Sequence, residues 1–216
     1  MNAHEQERMW STRYRDAGED YVFGTTANRF LAAQSALLGS GRTALSVADG
    51  EGRNAVWLAE QGLRVTATEI SPVALEKARK LAAGRHVEVD FVLADAVAWD
   101  YPEAAFDFVV GIFIQFADPV QRARIFAGMA RALRPGGHLI LQGYTPKQLE
   151  YRTGGPSAVE NLYTAELLRT AFPGLDIVHL QEYEDVLEEG VGHKGRSALV
   201  GLVARRPPAV AAEPGR

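Results

Sequence analysis

The chain contains no cysteine, which excludes disulfides, thiolate metal sites and thiol nucleophiles. Long apolar runs are missing as well. No stretch approaches the ~20 residues of a membrane span. The opening MNAHEQERMW lacks the basic-then-apolar pattern of a secretory signal. No membrane partner and a cytoplasmic location are the resulting expectations. Charge of one sign is also scarce: a net charge of -4 over 216 residues gives no basic footprint for nucleic acid. His4, His86, His138 and His179 are scattered without metal-ligand spacing, so no metal is expected.

What is present is a hydrophobic share of 47% and a charged share of 23%, the balance of a soluble globular domain. One domain over residues 1–206 fits, with 1–40 as a helical cap or lid. The Pro/Ala-rich tail 207–216 reads as disordered.

The informative stretch is ALSVADGEGRNAVWLAEQG, from Ala44 to Gly62. A β-favouring run at 43–48 leads into Asp49-Gly50-Glu51-Gly52, and helix-spaced apolar residues follow from Arg53 to Gln61. Glycines let the backbone turn sharply and let a ligand approach, and free N–H groups at a helix start favour anionic groups. Gly50, Gly52 and Ala55 fit G-x-G-x-x-G/A, with an acid, Glu69, some 20 residues on.

Around it, residues 4–16 read as a helix carrying Trp10, Arg13 and Tyr14, and 28–38 as a second helix. A second strand, 63–69, ends in Glu69, where a carboxylate accepts ribose hydroxyls. Ser71-Pro72 starts a helix that stops at Gly84. A third strand, 87–93, precedes Asp95, placed to bond an exocyclic amino group or to cap a turn. The almost wholly apolar 106–113 reads as a central strand. A helix follows Asp118-Pro119, the turn Arg134-Pro135-Gly136-Gly137 leads into a fifth strand, 138–143, and Thr164 caps a short helix. The strands 175–183 and 197–204, joined by a polar loop 184–196, form an antiparallel hairpin. The alternation describes a doubly wound α/β sheet of seven strands in the order 3-2-1-4-5-7-6, the last antiparallel.

Taken jointly, Trp10-x-x-Arg13-Tyr14, Phe23-Gly24-Thr25, ADGEGRNAVWLAEQG, TATEISPVALEKAR, LRPGGHLILQGYTP and YRTGGP at 151–156 resemble the class I S-adenosylmethionine (SAM) dependent methyltransferases. Among these the chain is similar to the small bacterial tellurite-resistance-type enzymes. The resemblance implies a Rossmann-like methyltransferase fold, SAM as cofactor with S-adenosylhomocysteine as product, and a small-molecule methyl acceptor: a metalloid oxyanion such as tellurite or selenite, or a thiol, hydroxyl or amine. A monomer or homodimer fits. It implies that the loop with Ala48, Asp49, Gly50 and Gly52 runs beneath the methionine part, with Arg53 steadying the loop or the SAM carboxylate. Glu69 and Ile70 would meet the ribose and adenine, Asp95 and Ala96 the adenine amino group, and Gly111 and Ile112 the sulfonium. Trp10 and Arg13 would close over the methionine end.

Ser46 and Ala48 stand where relatives carry an acid and a glycine. Ile114-Gln115 and Gln142 stand where they carry Cys-His and Glu. The acceptor site therefore rests on Gln115, Gln142 and Tyr144, with Phe23 and Tyr151 as an aromatic rim. Arg13, Arg152, His193 and Lys194 offer positive charge. Because the sulfonium activates the methyl group, the protein mainly orients and excludes water, and a base is needed only for an acceptor that must lose a proton. Two alternatives stay open: a non-catalytic SAM-binding sensor or partner, and a nicotinamide-dependent oxidoreductase. The latter lacks a Tyr-x-x-x-Lys pair, since Tyr144 and Lys147 are one residue too close.

Overall fold

The β-favouring and helix-spaced segments alternate along the chain, and that alternation builds the molecule. The computed structural model describes residues 2–209. Its parallel strands are β1 (Thr43–Ser46), β2 (Arg64–Glu69), β3 (Asp90–Leu93), β4 (Phe106–Ile112) and β5 (Leu133–Tyr144). β7 (His193–Arg205) pairs antiparallel with β5 and with β6 (Asp176–Glu189). The order β3-β2-β1-β4-β5-β7-β6 is the one read from the sequence. Of the tail, Pro207–Ala209 carries no regular structure and is exposed; the remainder, 210–216, lies outside the described residues.

Successive strand residues point to opposite faces, so the two faces bury different sets. Leu45, Val109, Leu139 and Leu141 pack with Ile125 and Met129 of α5 (Pro119–Ala132). Ala44, Phe108, Val110 and Ile140 pack with Leu58 of α3 (Arg53–Glu60) and Leu31 of α2 (Arg29–Ala32). The helix starts follow their capping residues. Ser71 accepts from Ala74 N at the head of α4 (Pro72–Gly84), with proline at the first position. Asp118 forms a capping box with Gln121 ahead of α5. At the N-terminus α1 (Ala3–Asp16) opens with an Asn2–Glu5 capping box.

Four boundaries differ from the sequence reading. The second helix is one turn of α2, capped by Asn28, plus a 3-10 turn at Ser35–Leu37. β3 starts at Asp90, where pairing with Thr66 begins. The residues 134–137 do not form a tight turn: Leu133 already pairs with Phe106, a register irregularity follows, and Gly136 N donates to Arg206 O at 2.8 Å. The polar loop 184–196 is mostly paired strand, with Glu184↔Ala198 continuing to Glu189↔His193. Its charged side chains read as loop, yet they decorate an exposed edge strand, where charge discourages edge-to-edge pairing.

The loop after β1 owes its shape to Gly52, the residue before α3. Its φ is +92°, and a Cβ there would lie 2.8 Å from Ala78 Cβ and 3.0 Å from Ala78 Cα in α4. Gly52→Ala therefore combines a left-handed backbone with a backbone clash. A loss of roughly 2–4 kcal/mol in unfolding free energy is expected from urea titration. An unchanged midpoint would show that the loop does not depend on this contact.

Candidate active site

The carboxyl ends of β3, β2, β1, β4 and β5 lie side by side, and α/β sheets bind ligands there. A cleft of about 490 Å³ opens along this edge. It gathers Trp10, Arg13, Ala48, Asp49, Gly50, Arg53, Glu69, Ile70, Asp95, Ala96, Ile112, Gln115 and Tyr144, together with Tyr14 and Phe23.

Over β2 the cleft is polar and closely built. Glu69, buried at 4% exposure, accepts from Gly50 N through Oε2 and from Ser71 N through Oε1, each at 2.9 Å. Burial nevertheless raises its pKa to about 7, with Asp49 adding repulsion. Asp49 accepts from Ser46 Oγ at 2.5 Å and from Ala55 N at 3.3 Å, and burial raises its pKa to about 6. Ser46 thus takes up the role of holding the loop. Gly50 passes directly beneath the Tyr14 hydroxyl, 2.9 Å from where a Cβ would stand. Asp95 holds the next turn by accepting from Val97 N at 2.9 Å.

The N-terminal helix is pinned along this loop. Ser11 Oγ lies 2.8 Å from Ser71 Oγ. The buried Lys77 ammonium lies 2.7 Å from Glu51 and donates to Tyr14 O and Asp20 O. Glu51 and Lys77 escaped the sequence reading because their pairing joins distant segments; the only local sign was an acid between the two glycines.

Arg53 is held at 2.7 Å by Glu189 of β6, both side chains buried. Glu189 also accepts from Asn28 Nδ2 at 3.0 Å and from Arg29 N at 3.2 Å. Arg53 Nη1 is buried without a partner among the described residues and belongs to a cleft-lining side chain.

Over β4 and β5 the cleft is aromatic. His193 stacks on Phe23 with ring centres 4.6 Å apart and lies 4.3 Å from Phe113. Phe113 in turn stacks on Tyr144 at 4.7 Å. Tyr144 Oη is 2.6 Å from His193 Nδ1. Phe113 holds a φ of +56°, the strained backbone that recurs at binding sites.

Several expected site residues lie elsewhere or are already engaged. Gly111 faces Ile114, Met129 and Leu141, because alternation turns that position of β4 toward α5. Gly52 supports the loop through Ala78 and does not line the cleft. Gln142 is buried behind it, accepting from Asn28 Nδ2 at 2.6 Å and donating to Tyr183 Oη at 2.5 Å. Gln115 lines the cleft, yet its amide is spent on backbone: Nε2 donates to Tyr144 O and Asn161 O, and Oε1 accepts from Tyr144 N. Tyr151 packs instead against Lys147 and Arg196. Arg152 and Lys194 are outside the cleft. His193 carries no charge at neutral pH, since burial and the nearby Arg53 and Arg13 lower its pKa to about 3. Among the described residues no cluster of His, Asp or Glu suits a metal ion, and no helix is long and apolar enough to cross a membrane.

Residues 44–137 match the model of a family described as methyltransferase domain. The demethylmenaquinone methyltransferase of Deinococcus radiodurans is 36% identical over 122 residues, covering 55% of this chain and 49% of the relative. The chain thus spans about half the length of the curated relatives it matches. A structure solved for the conversion of a disulfide bond into a thioacetal group during echinomycin biosynthesis superimposes with a TM-score of 0.77 at 20% identity, covering 95% of this chain and 93% of the other. TehB from Haemophilus influenzae gives 0.69 at 17% identity, covering 93% and 67%. At such identities the two structures establish the fold alone and single out no tellurite-resistance subgroup. Residues 44–137 are thus similar to a methyltransferase domain, and the sheet order gives the chain the Rossmann-like methyltransferase fold.

Proposed function

We propose that this protein binds SAM in the cleft and transfers its methyl group to a small acceptor. The observation that carries the reading is the Glu69 carboxylate, buried at the carboxyl end of β2 and tied to the loop at Gly50. It keeps lone pairs for a diol after accepting two backbone N–H groups. The rest of the lining fits the same molecule. Arg53 Nη1, buried and unpartnered, is a donor for the amino-acid carboxylate. Asp49 offers a negative group to the ammonium, and Ile70 and Ala96 offer apolar surface to the adenine. Bound SAM supplies a methyl group already activated on a positive sulfur. The chain supplies orientation and dryness: α1 lies over the loop, with Trp10 and Arg13 in the cleft wall.

The acceptor region disfavours a compact metalloid oxyanion. Of the four positive groups expected there, only Arg13 lines the cleft as a charge free of a carboxylate partner among the described residues. The surrounding rings offer an oxyanion few hydrogen bonds. A planar acceptor suits the stacked walls better. The oxidoreductase reading draws no support from the site, where Lys147 is paired with Glu184 at the surface.

Calorimetry with SAM, S-adenosylhomocysteine and NADH tests this reading. Binding of the first two without NADH is expected, and the reverse would overturn it. Glu69→Ala should weaken SAM by at least ~10-fold, since a hydrogen bond to a charged group is worth about 1.5–3 kcal/mol; equal affinity would remove Glu69 from the ribose site. Ribose hydroxyls favour the ionised carboxylate, whose pKa of about 7 lies above the ordinary 4.5. Binding therefore releases a proton at low pH, and affinity should fall about tenfold between pH 8 and pH 6. A flat profile would contradict the assignment. Deleting residues 2–16 tests the lid: a folded remainder with at least ~10-fold weaker SAM binding or lost transfer is expected, whereas wild-type behaviour would make α1 a mere cap.

A further inference from the structure

The charge and aromatic character of the region over β4 and β5 narrow the acceptor further, resting on the methyl-transfer reading above. Tyr144, 1% exposed, keeps its phenolic proton, because burial and the nearby Glu189 push its ionisation upward. Its hydroxyl has two side-chain neighbours, His193 Nδ1 at 2.6 Å and Ser197. If Nδ1 accepts, the neutral ring carries its proton on Nε2, the ring nitrogen with no protein partner among the described residues. In that tautomer His193, which lines the cleft, presents a neutral N–H donor to it.

Beside it stands Arg13. Its guanidinium lies 5.0 Å from the Phe23 ring centre and 5.4 Å from that of Trp10. Its Nη2 is 3.1 Å from where a Cβ on Gly192 would stand, next to His193 in the chain. Arg53, the other nearby cation, is balanced by Glu189. The groups facing His193 are Tyr144 from β5, Arg13 from α1, Arg53 from α3 and Glu189 from β6, and none is a free base. The acceptor end thus combines an unbalanced positive charge, an N–H donor and flat apolar walls, with no free carboxylate among the described residues to remove a proton.

We propose that this recess selects a planar aromatic phenolate or thiolate, bound already ionised and held by the Arg13 guanidinium and the His193 N–H. In the transfer the anion's lone pair forms the new O–CH3 or S–CH3 bond. The S–CH3 bond of SAM breaks, and its electron pair returns to sulfur, leaving neutral S-adenosylhomocysteine. No proton moves within the site, which accounts for the absence of a base.

The test uses 4-nitrophenol and 4-nitrothiophenol with the full-length protein. With S-adenosylhomocysteine saturating, so that titration of Asp49 and Glu69 stays on the cofactor side, the absorption of bound 4-nitrophenol is followed against pH. The phenolate band is expected to persist at least one pH unit lower than in free solution, equivalent to ~10-fold preference for the anion. Arg13→Ala should abolish the shift, and His193→Phe should reduce it while His193→Asn, which keeps an N–H, retains most of it. With SAM saturating, the acid limb of kcat/KM should follow the ionisation of whichever probe is used. A bound phenol that stays neutral, failure of wild-type protein to bind either probe, or a limb fixed at one pH for both probes would overturn the proposal. So would absence of methylation while SAM binds. If calorimetry shows no SAM binding, the methyl-transfer reading fails instead, and the phenolate band still reports on the recess. Methylation of one probe alone identifies oxygen or sulfur as the nucleophile within the proposed class.

Discussion

The Glu69 carboxylate holds the site together. Its two oxygens take the Gly50 and Ser71 N–H groups, and so join the loop after β1 to the turn after β2. Removing those oxygens would leave two buried donors unpaired, which is more costly than losing two hydrogen bonds to water. The same burial makes ionisation expensive. A group kept near half-ionised at neutral pH favours a ligand that hydrogen-bonds its charged form. The loop constraint and the binding preference arise from one desolvated carboxylate.

Around that clasp, buried polar groups are paired so as to leave few loose ends. Lys77 of α4 ties the loop after β1, through Glu51, to α1, through Tyr14 O, and Glu189 draws Arg53, Asn28 and Arg29 together. Breaking either buried pair on one side would strand a charge in a poorly solvated place. Gln115 and Gln142 belong to this scaffold too. Their amides satisfy backbone, asparagine and tyrosine partners rather than face an acceptor. The acceptor end is consequently formed by rings and by two cation-capable side chains, of which only Arg13 is charged.

Most of the fold was legible because it follows local rules. The strand–helix alternation, the Ser71 and Asp118 caps and the helix-free final connection give the doubly wound sheet and its terminal hairpin without knowledge of any contact. The gathering of Asp49, Gly50, Glu69 and Asp95 along one cleft was legible for the same reason: they stand at or just after strand ends, and topology brings strand ends together. The acceptor half was not. Whether Gln142 or Tyr144 reaches the cleft depends on how far β5 runs past α2, and His193 fell within the stretch 184–196 read as a polar loop until the hairpin proved longer than its composition suggested. Gly111 was misjudged through the side to which one strand residue points. Charged residues on an exposed edge strand carry no periodic signal that separates them from a loop.

The central claim is that the Glu69 clasp forms the ribose site of a SAM-binding cleft. A crystal structure with S-adenosylhomocysteine tests it most directly. The account predicts both ribose hydroxyls on the Glu69 carboxylate and the amino-acid carboxylate on Arg53 Nη1, with the thioether sulfur facing the recess of Phe113, Tyr144 and His193. A ligand seated with its ribose away from Glu69, or outside this cleft, would contradict it.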